Sequence, residues 1–488
     1  MKKRPNILYI MSDDHASNAI SCYGSRLSEV FQTPGMDRIA EEGLRLDACY
    51  STNSICTPAR ATVMSGQYGN KNGVKTLSDV WNPDNDLNLA RIFQANGYQT
   101  SLFGKWHLHC EPKGFDEFKV LIGEGGQGTY QKPEFYEKGI GETQYPGYVT
   151  DVITDLTVNY LKNKEADKPF FMMCHHKAPH DFWQYPERHE HLFDGIDIPV
   201  PDSLFEDRSH RHVASRDFGS SVTPRSSVRS LYEDFQAEDY PTGPLIIDES
   251  MTFEERGIAA YQKYLKDYLR TVAGIDDSVA TVMQTLEEMG ELENTIVIYT
   301  SDQGMYLGEH DYQDKRWSYE ESLKIPFLIR CPELFPQGKV NTNLMANVDI
   351  APTLLDLCDI DVPEAMQGIS QKSVLVSEDQ EDLRQDFYFR YWMHLAHRHD
   401  NPAHFGIRTK DYKLIYYYGH PLDSNGAVDR TTPQGFEFYD LKKDPYEVHN
   451  CYEEEAYKEV IAQMTERLRA LRVELEDNDE GFEEIVAF

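Results

Sequence analysis

The sequence is short of positive charge: 48 lysines and arginines stand against 82 aspartates and glutamates in 488 residues, a formal net charge of -34. That deficit argues against nucleic acid as a partner, because neutralising backbone phosphates requires a basic surface. It also repels anionic ligands at long range, so an anion site here has to be a local knot of cations or a bound metal. Long apolar runs are missing as well. No stretch reaches the ~18 uncharged apolar residues of a membrane span, and no membrane partner is expected. Asn6-Ile-Leu-Tyr-Ile-Met11 follows Lys2, Lys3 and Arg4, but it is too short for the apolar centre of a signal peptide and runs into Asp13-Asp14. The protein is therefore expected in the cytoplasm, or in the periplasm or outside the cell with a signal removed. Eight cysteines (Cys22, Cys49, Cys56, Cys110, Cys174, Cys331, Cys358 and Cys451) lie scattered without C-x-x-C spacing. That pattern points to neither a zinc knuckle nor a disulfide framework, and leaves one or two disulfides open. Repeats and low-complexity tracts are absent, and no pattern specifies an oligomeric state.

What is present is ample material for a core, with 40% apolar residues. Short apolar segments bounded by turn or charge signals predict strands at Asn6–Met11, Tyr98–Phe103, Phe170–Cys174, Thr295–Ser301 and Phe327–Arg330. Between them, Val152–Asn163 and Ala259–Met289 carry apolar residues at three- and four-residue spacing, and Thr33–Gly43 has proline near its start and glycine at its end. Alternating strands and helices predict an α/β fold with a largely parallel sheet, whose ligands sit beyond the carboxyl ends of its strands. Residues 200–250 are polar and aperiodic, the texture of a long loop excursion. After the helix expected at Val348–Leu357, short aromatic segments (Phe387–Trp392, Phe405–Arg408, Tyr412–Tyr418, Phe436–Asp440) and a helix from Glu453 to Leu475 predict a small antiparallel sheet with one helix. The expected division is a catalytic part, residues 1–375, and a smaller part, residues 376–488, contributing to the substrate pocket.

The chemistry-bearing residues cluster at strand ends. Asp13-Asp14 and Asp302-Gln303 each follow a predicted strand, giving three carboxylates and an amide oxygen suited to a hard divalent cation. Cys56-Thr-Pro-Ala-Arg60 opens a helix-like run; a cysteine there gains thiolate character from the helix dipole, and Arg60 shares its face. Taken singly, such a cysteine is more often a buried structural residue, and a loop carboxylate is more often just solvated.

Six motifs in sequence order resemble the type I sulfatases of the alkaline-phosphatase superfamily: Pro5–Asp14, Cys56–Arg60 with Ser65-Gly66, Gly104-Lys105-Trp106-His107, Lys177-Ala-Pro-His180, Thr300–Gly304, and Gly308-Glu-His310 leading to Lys315. The resemblance implies an alkaline-phosphatase-like sandwich and oxidation of Cys56 to formylglycine (3-oxoalanine) by a formylglycine-generating maturation enzyme. It implies a calcium ion held by Asp13, Asp14, Asp302, Gln303 and residue 56, with magnesium chemically acceptable. Many relatives carry asparagine where this chain has Gln303, which adds a methylene and keeps the amide oxygen. By the same resemblance, Arg60 holds the aldehyde hydrate and the metal-side carboxylates, Lys105 and His107 attend the formylglycine, and His180 and Lys315 lie on the leaving-group side.

The alcohol is expected to be a sugar. Arg390–Tyr418 resembles bacterial carbohydrate sulfatases, including N-acetylglucosamine-6-sulfatases, so the substrate class is a sulfated saccharide such as a glycosaminoglycan fragment or an algal polysaccharide such as ulvan. Aromatic faces stack on sugars while Arg and His bind anions, which nominates His109, Trp183, Arg390, Trp392, His394, His397 and Arg398 as sugar contacts. A packing seam explains the run Arg390–His404 equally well. The rival functions are a phosphonate or phosphate monoester hydrolase of the same superfamily, a catalytically inactive sulfatase-like carbohydrate-binding protein, and a metalloenzyme using the unmodified Cys56 thiol.

Overall fold

The structure, a computed structural model, describes residues 4–85, 87–377 and 382–487. Its large sheet has ten strands in the order Lys339–Asn341, Leu44–Leu46, Phe327–Arg330, Thr295–Ser301, Asn6–Ser12, Phe170–His175, Gln99–Gly104, Glu117–Leu121, Glu134–Glu137 and Gly141–Gln144. The strands from Thr295–Ser301 through Glu117–Leu121 run parallel to one another, and antiparallel strands flank them on both sides. The predicted strands lie in this sheet within a residue or so of their expected bounds. The missed ones, such as Leu44–Leu46 and Gly141–Gln144, are brief and partly polar, so they carry little periodic signal.

Strand periodicity explains why the central segments read as unbroken apolar runs. Alternate side chains point to opposite faces, and both faces are covered. In Asn6–Ser12, Leu8 and Ile10 join a core beneath helices Pro34–Glu41, Val149–Asn163 and Phe253–Glu288. Ile7, Tyr9 and Met11 join a second core beneath Cys56–Ser65, Leu89–Ala95 and Ile350–Leu357. The longest helix starts at Phe253, earlier than apolar spacing predicts, because Thr252 and Glu255 exchange side-chain-to-backbone bonds in a capping box.

Residues 200–250 form short turns and one four-residue helix, Leu231–Asp234, packed against the segment that carries Lys315. Glu206 pairs with His310 at 2.8 Å and Arg225 with Asp311 at 2.8 Å, while Arg211 lies 4.6 Å from the Tyr319 ring centre. His310, from the last sequence motif, is thus a buried clamp for this excursion. Farther along, four antiparallel strands (Asp386–Tyr391, His404–Thr409, Tyr412–Tyr417, Gly435–Asp440) and helix Lys458–Glu474 form the second sheet. Its Phe387, Phe405 and Phe438 share one core with Tyr50, Tyr312 and Trp317. The expected division after residue 375 falls within the short helix Lys372–Val376. All eight cysteines are free thiols, and no helix among the described residues is long and apolar enough to cross a membrane.

Candidate active site

Four neighbouring parallel strands deliver the motif residues to one place. Asp13 and Asp14 follow Asn6–Ser12, Asp302 and Gln303 follow Thr295–Ser301, Lys105 and His107 follow Gln99–Gly104, and Lys177–His180 follow Phe170–His175. All leave the carboxyl edge of the sheet, where a parallel α/β fold places its ligands. The turn after Gln99–Gly104 needs glycine: Gly104 has φ +106°, and a β-carbon there would lie 1.8 Å from the His175 carbonyl oxygen. Asp14 and His107 also hold left-handed backbone, at φ 65° and 55°, a cost that clusters at functional sites.

Cys56 is the first residue of helix Cys56–Ser65, and Arg60 lies one turn on along the same face. The thiol sits 3.2 Å from Asp13 Oδ1, and Gln303 Nε2 lies 3.4 Å from the sulfur. Arg60 Nη2 is 2.9 Å from Asp302 and 3.4 Å from Asp13, while Nη1 donates to the Lys105 carbonyl at 2.9 Å. These groups are buried. Burial opposes ionisation of Asp13, but Lys105, His180 and Arg60 outweigh it and hold the carboxyl well below the usual range. At Asp302 burial prevails over Arg60 and pushes the carboxyl up to about 7. The sequence expectation of thiolate character at Cys56 is corrected here: burial and then Asp13 raise the thiol above its ordinary value, outweighing Lys105 and Lys315.

The donor set fits a hard divalent cation. Asp13, Asp14 and Asp302 bring carboxylate oxygens within 4.8 Å of one another, and the buried Gln303 Oε1 has no hydrogen-bond partner. Gln303 Nε2 donates to Asp14 and lies 3.4 Å from Cys56 Sγ, so the amide reaches the cluster nitrogen first, and a half-turn of the amide would present its unpartnered oxygen to a cation.

Cations surround these acids. Lys105 Nζ bonds Asp13 and the Gln127 amide oxygen, and Lys315 Nζ lies 2.6 Å from Asp14 and 3.1 Å from Asp314. His107 is buried, its Nδ1 unbonded; burial and then Lys105 hold it well below its ordinary pKa, so it is neutral. His180 is the opposite case. Burial disfavours its charge, but Asp181 and Asp13 prevail and raise it to about 10. Its Nδ1 lies 2.7 Å from Asp181, and Nε2 lies 3.7 Å from Asp14.

The nominated sugar contacts divide. Trp183 is corrected to a core residue: it is fully buried, packs tilted against Tyr264 with ring centres 4.5 Å apart and donates Nε1 to the Pro179 carbonyl. Arg390 is corrected likewise, since it is buried in ion pairs with Asp477 and Asp479, each at 2.7 Å, over the Trp392 ring. His394 is also internal, accepting from Ala403 N at 3.0 Å, and burial lowers its pKa to about 4. Trp392 is nearly buried, with Lys75 at 5.9 Å from its ring. His397 and Arg398 are exposed; burial, then the charge of Arg316, lowers His397, and Arg398 donates to the Val228 carbonyl. His109 is exposed beside His107, with ring centres 5.2 Å apart. Much of the run Arg390–His404 is therefore a seam, and only its exposed turn faces outward. Sequence reasoning passed over Gln127, Asp181 and Arg229. The one available signal was the glycine-rich stretch Gly123-Glu-Gly-Gly-Gln-Gly128, an unusual loop composition.

A parallel-sheet scaffold gathering a helix-borne cysteine, a buried carboxylate cluster and flanking cations defines a hydrolase site for an anionic ester. The sulfatase family profile matches residues 5–360, and a profile for the C-terminal region of N-sulphoglucosamine sulphohydrolase matches residues 308–474. The chain belongs to the sulfatase family and is a sulfatase. It is 36% identical to an N-acetylglucosamine-6-O-sulfatase of Bacteroides thetaiotaomicron, over 100% of this chain and 89% of that protein. It is 26% identical to an ulvan-active sulfatase of Formosa agariphila, over 97% and 82%. A solved structure of a protein in complex with its substrate D-glucosamine-2-N,6-O-disulfate superposes with TM-score 0.86 at 36% identity, covering 98% of this chain and 100% of that one. A phosphonate monoester hydrolase of Agrobacterium radiobacter shares the fold, with TM-score 0.71 at 21% identity over 97% and 96%.

Proposed function

We propose that the protein hydrolyses a sulfate ester on a saccharide, with a glucosamine 6-O-sulfate as the first substrate to try, through formylglycine at residue 56 and a calcium ion held by Asp13, Asp14, Asp302 and Gln303. The observation that carries this reading is the convergence of Cys56, Arg60 and three buried carboxylates with the side-chain amide of Gln303. The saccharide class is supported by the relatives above, one bound to a disulfated glucosamine and one acting on ulvan. Magnesium suits the same oxygen donors.

When bound, the cation supplies charge neutralisation at the sulfate oxygens, and oxidation of Cys56 supplies an aldehyde whose hydrate is an oxygen nucleophile. The protein's side chains do the rest. Lys105 and Lys315 hold the non-bridging sulfate oxygens as point charges. Neutral His107 accepts a proton from the hydroxyl at residue 56, and protonated His180 gives one from Nε2 to the departing sugar oxygen. Arg60 fixes the carboxylates of Asp13 and Asp302. The 1% exposure of Cys56 supports oxidation by a maturation enzyme acting before folding is complete.

The test compares matched sulfate, phosphate and phosphonate esters, together with the mass of the peptide around residue 56. Sulfate preference with an aldehyde at residue 56 is expected. A dominant phosphate or phosphonate activity would overturn the reading, and so would full activity from a protein with an intact thiol.

A further inference from the structure

We propose that Asp181 and Arg229 form a positioning relay that fixes His180 against the leaving-group oxygen, and that the polar excursion at residues 200–250 thereby takes part in the chemistry. The inference rests on the proposed role of His180 as proton donor. Asp181 Oδ1 lies 2.7 Å from His180 Nδ1, so Nδ1 carries a proton toward the carboxylate and Nε2 points inward, 3.7 Å from Asp14. The imidazole is thereby held with its working nitrogen aimed at the site.

Asp181 is itself held. Its second oxygen lies 3.6 Å from Arg229 Nη2, from the excursion. Arg229 is fixed on its other sides: Nε lies 2.9 Å from Asp234, Nη1 lies 3.1 Å from His399 Nε2, and the guanidinium stands 5.7 Å from the Phe182 ring centre. His399 Nδ1 lies 3.4 Å from Asp314, which in turn lies 3.1 Å from Lys315. A chain of polar contacts therefore joins His180 to Lys315, with ion pairs at its two ends and the buried His399 as a hydrogen-bonding link between Arg229 and Asp314.

The Asp181 backbone carbonyl also lies 2.9 Å from His180 Nδ1, so losing the carboxylate weakens the orientation of the ring without abolishing it. Loss of the partner that orients a metal-bound histidine lowers activity by ~10–100-fold, and a similar effect is expected for a histidine oriented to give a proton.

The experiment measures kcat and KM of the matured enzyme and its Asp181→Asn, Arg229→Gln and Arg229→Lys variants on a glucosamine 6-O-sulfate and on an activated aryl sulfate. For Asp181→Asn, kcat on the sugar sulfate is expected to fall ~10–100-fold with KM nearly unchanged, while the aryl sulfate, whose oxygen leaves without a proton, changes less than about threefold. Arg229→Gln repeats the selectivity more weakly, and Arg229→Lys restores most of the rate. Equal slowing of both substrates, or a rise in KM alone, overturns the relay. If Asp181→Asn does not fold, the selectivity of Arg229→Gln against Arg229→Lys decides the matter. An unsubstituted enzyme inactive on both sulfates overturns the proposed function instead.

Discussion

The guanidinium of Arg60 stands 2.9 Å from the carboxylate of Asp302, with both side chains sealed from solvent. Removing one partner of such a pair strands the other charge in the interior. Arg60→Ala is expected to cost ~3–5 kcal/mol of stability and to abolish sulfate release. Calorimetry or a denaturant melt measures the first effect, and an Arg60→Ala protein as stable as the parent would show that the pair does not hold these carboxylates.

Chelation tests the cation site with a readout independent of turnover. Three buried carboxylates repel one another without a cation, so EDTA is expected to lower the melting temperature, and calcium at ~100 times its Kd is expected to restore ~2.7 kcal/mol. Asp302→Asn should lose the calcium-dependent rise. A melting temperature indifferent to chelator and calcium counts against the ligand set Asp13, Asp14, Asp302 and Gln303.

The His310–Glu206 pair gives a pH signature away from the cation site. Burial opposes both charges, but each partner prevails on the other: His310 is raised from 6.5 to about 9, and Glu206 is lowered from 4.5 to about 2. A raised folded pKa means the stability from His310 is fully present below 6.5 and lost as pH climbs through about 9. A depressed one means the stability from Glu206 is present above 4.5 and lost as pH falls toward about 2. The melting difference between the parent and His310→Gln should therefore be largest between pH 4.5 and 6.5 and shrink above pH ~9. A difference that does not vary with pH would exclude the pairing.

Recognition and packing should separate by substitution. Trp183→Ala is expected to cost ~3–5 kcal/mol of stability through a large core cavity. Arg398→Ala, at an exposed turn, should leave stability unchanged and raise KM for the saccharide about tenfold, the loss of ~1.4 kcal/mol of binding. A small aryl sulfate should not distinguish Arg398→Ala from the parent. If both substrates respond alike, the turn takes no part in sugar binding.

What the sequence made legible follows from which signals are local. Asn6–Ser12 and Thr295–Ser301 are buried on both faces, so burial writes itself as an apolar run, and the acids that end them stand out. Facing direction is not local. Trp183 and Arg390 carry the chemistry of sugar contacts, yet their packing partners, Tyr264 for one and Asp477 for the other, lie far along the chain. Arg229 was hidden for the same reason. It comes from an aperiodic segment and gains meaning only when the fold sets it beside Asp181.

The most direct test of the central claim is the rate of inorganic sulfate release from a glucosamine 6-O-sulfate by protein from a formylglycine-competent host, beside Cys56→Ala from the same host. The parent is expected to turn over while Cys56→Ala, equally folded, releases no sulfate above background. Equal rates from the two proteins would contradict the assignment of residue 56 as the nucleophile.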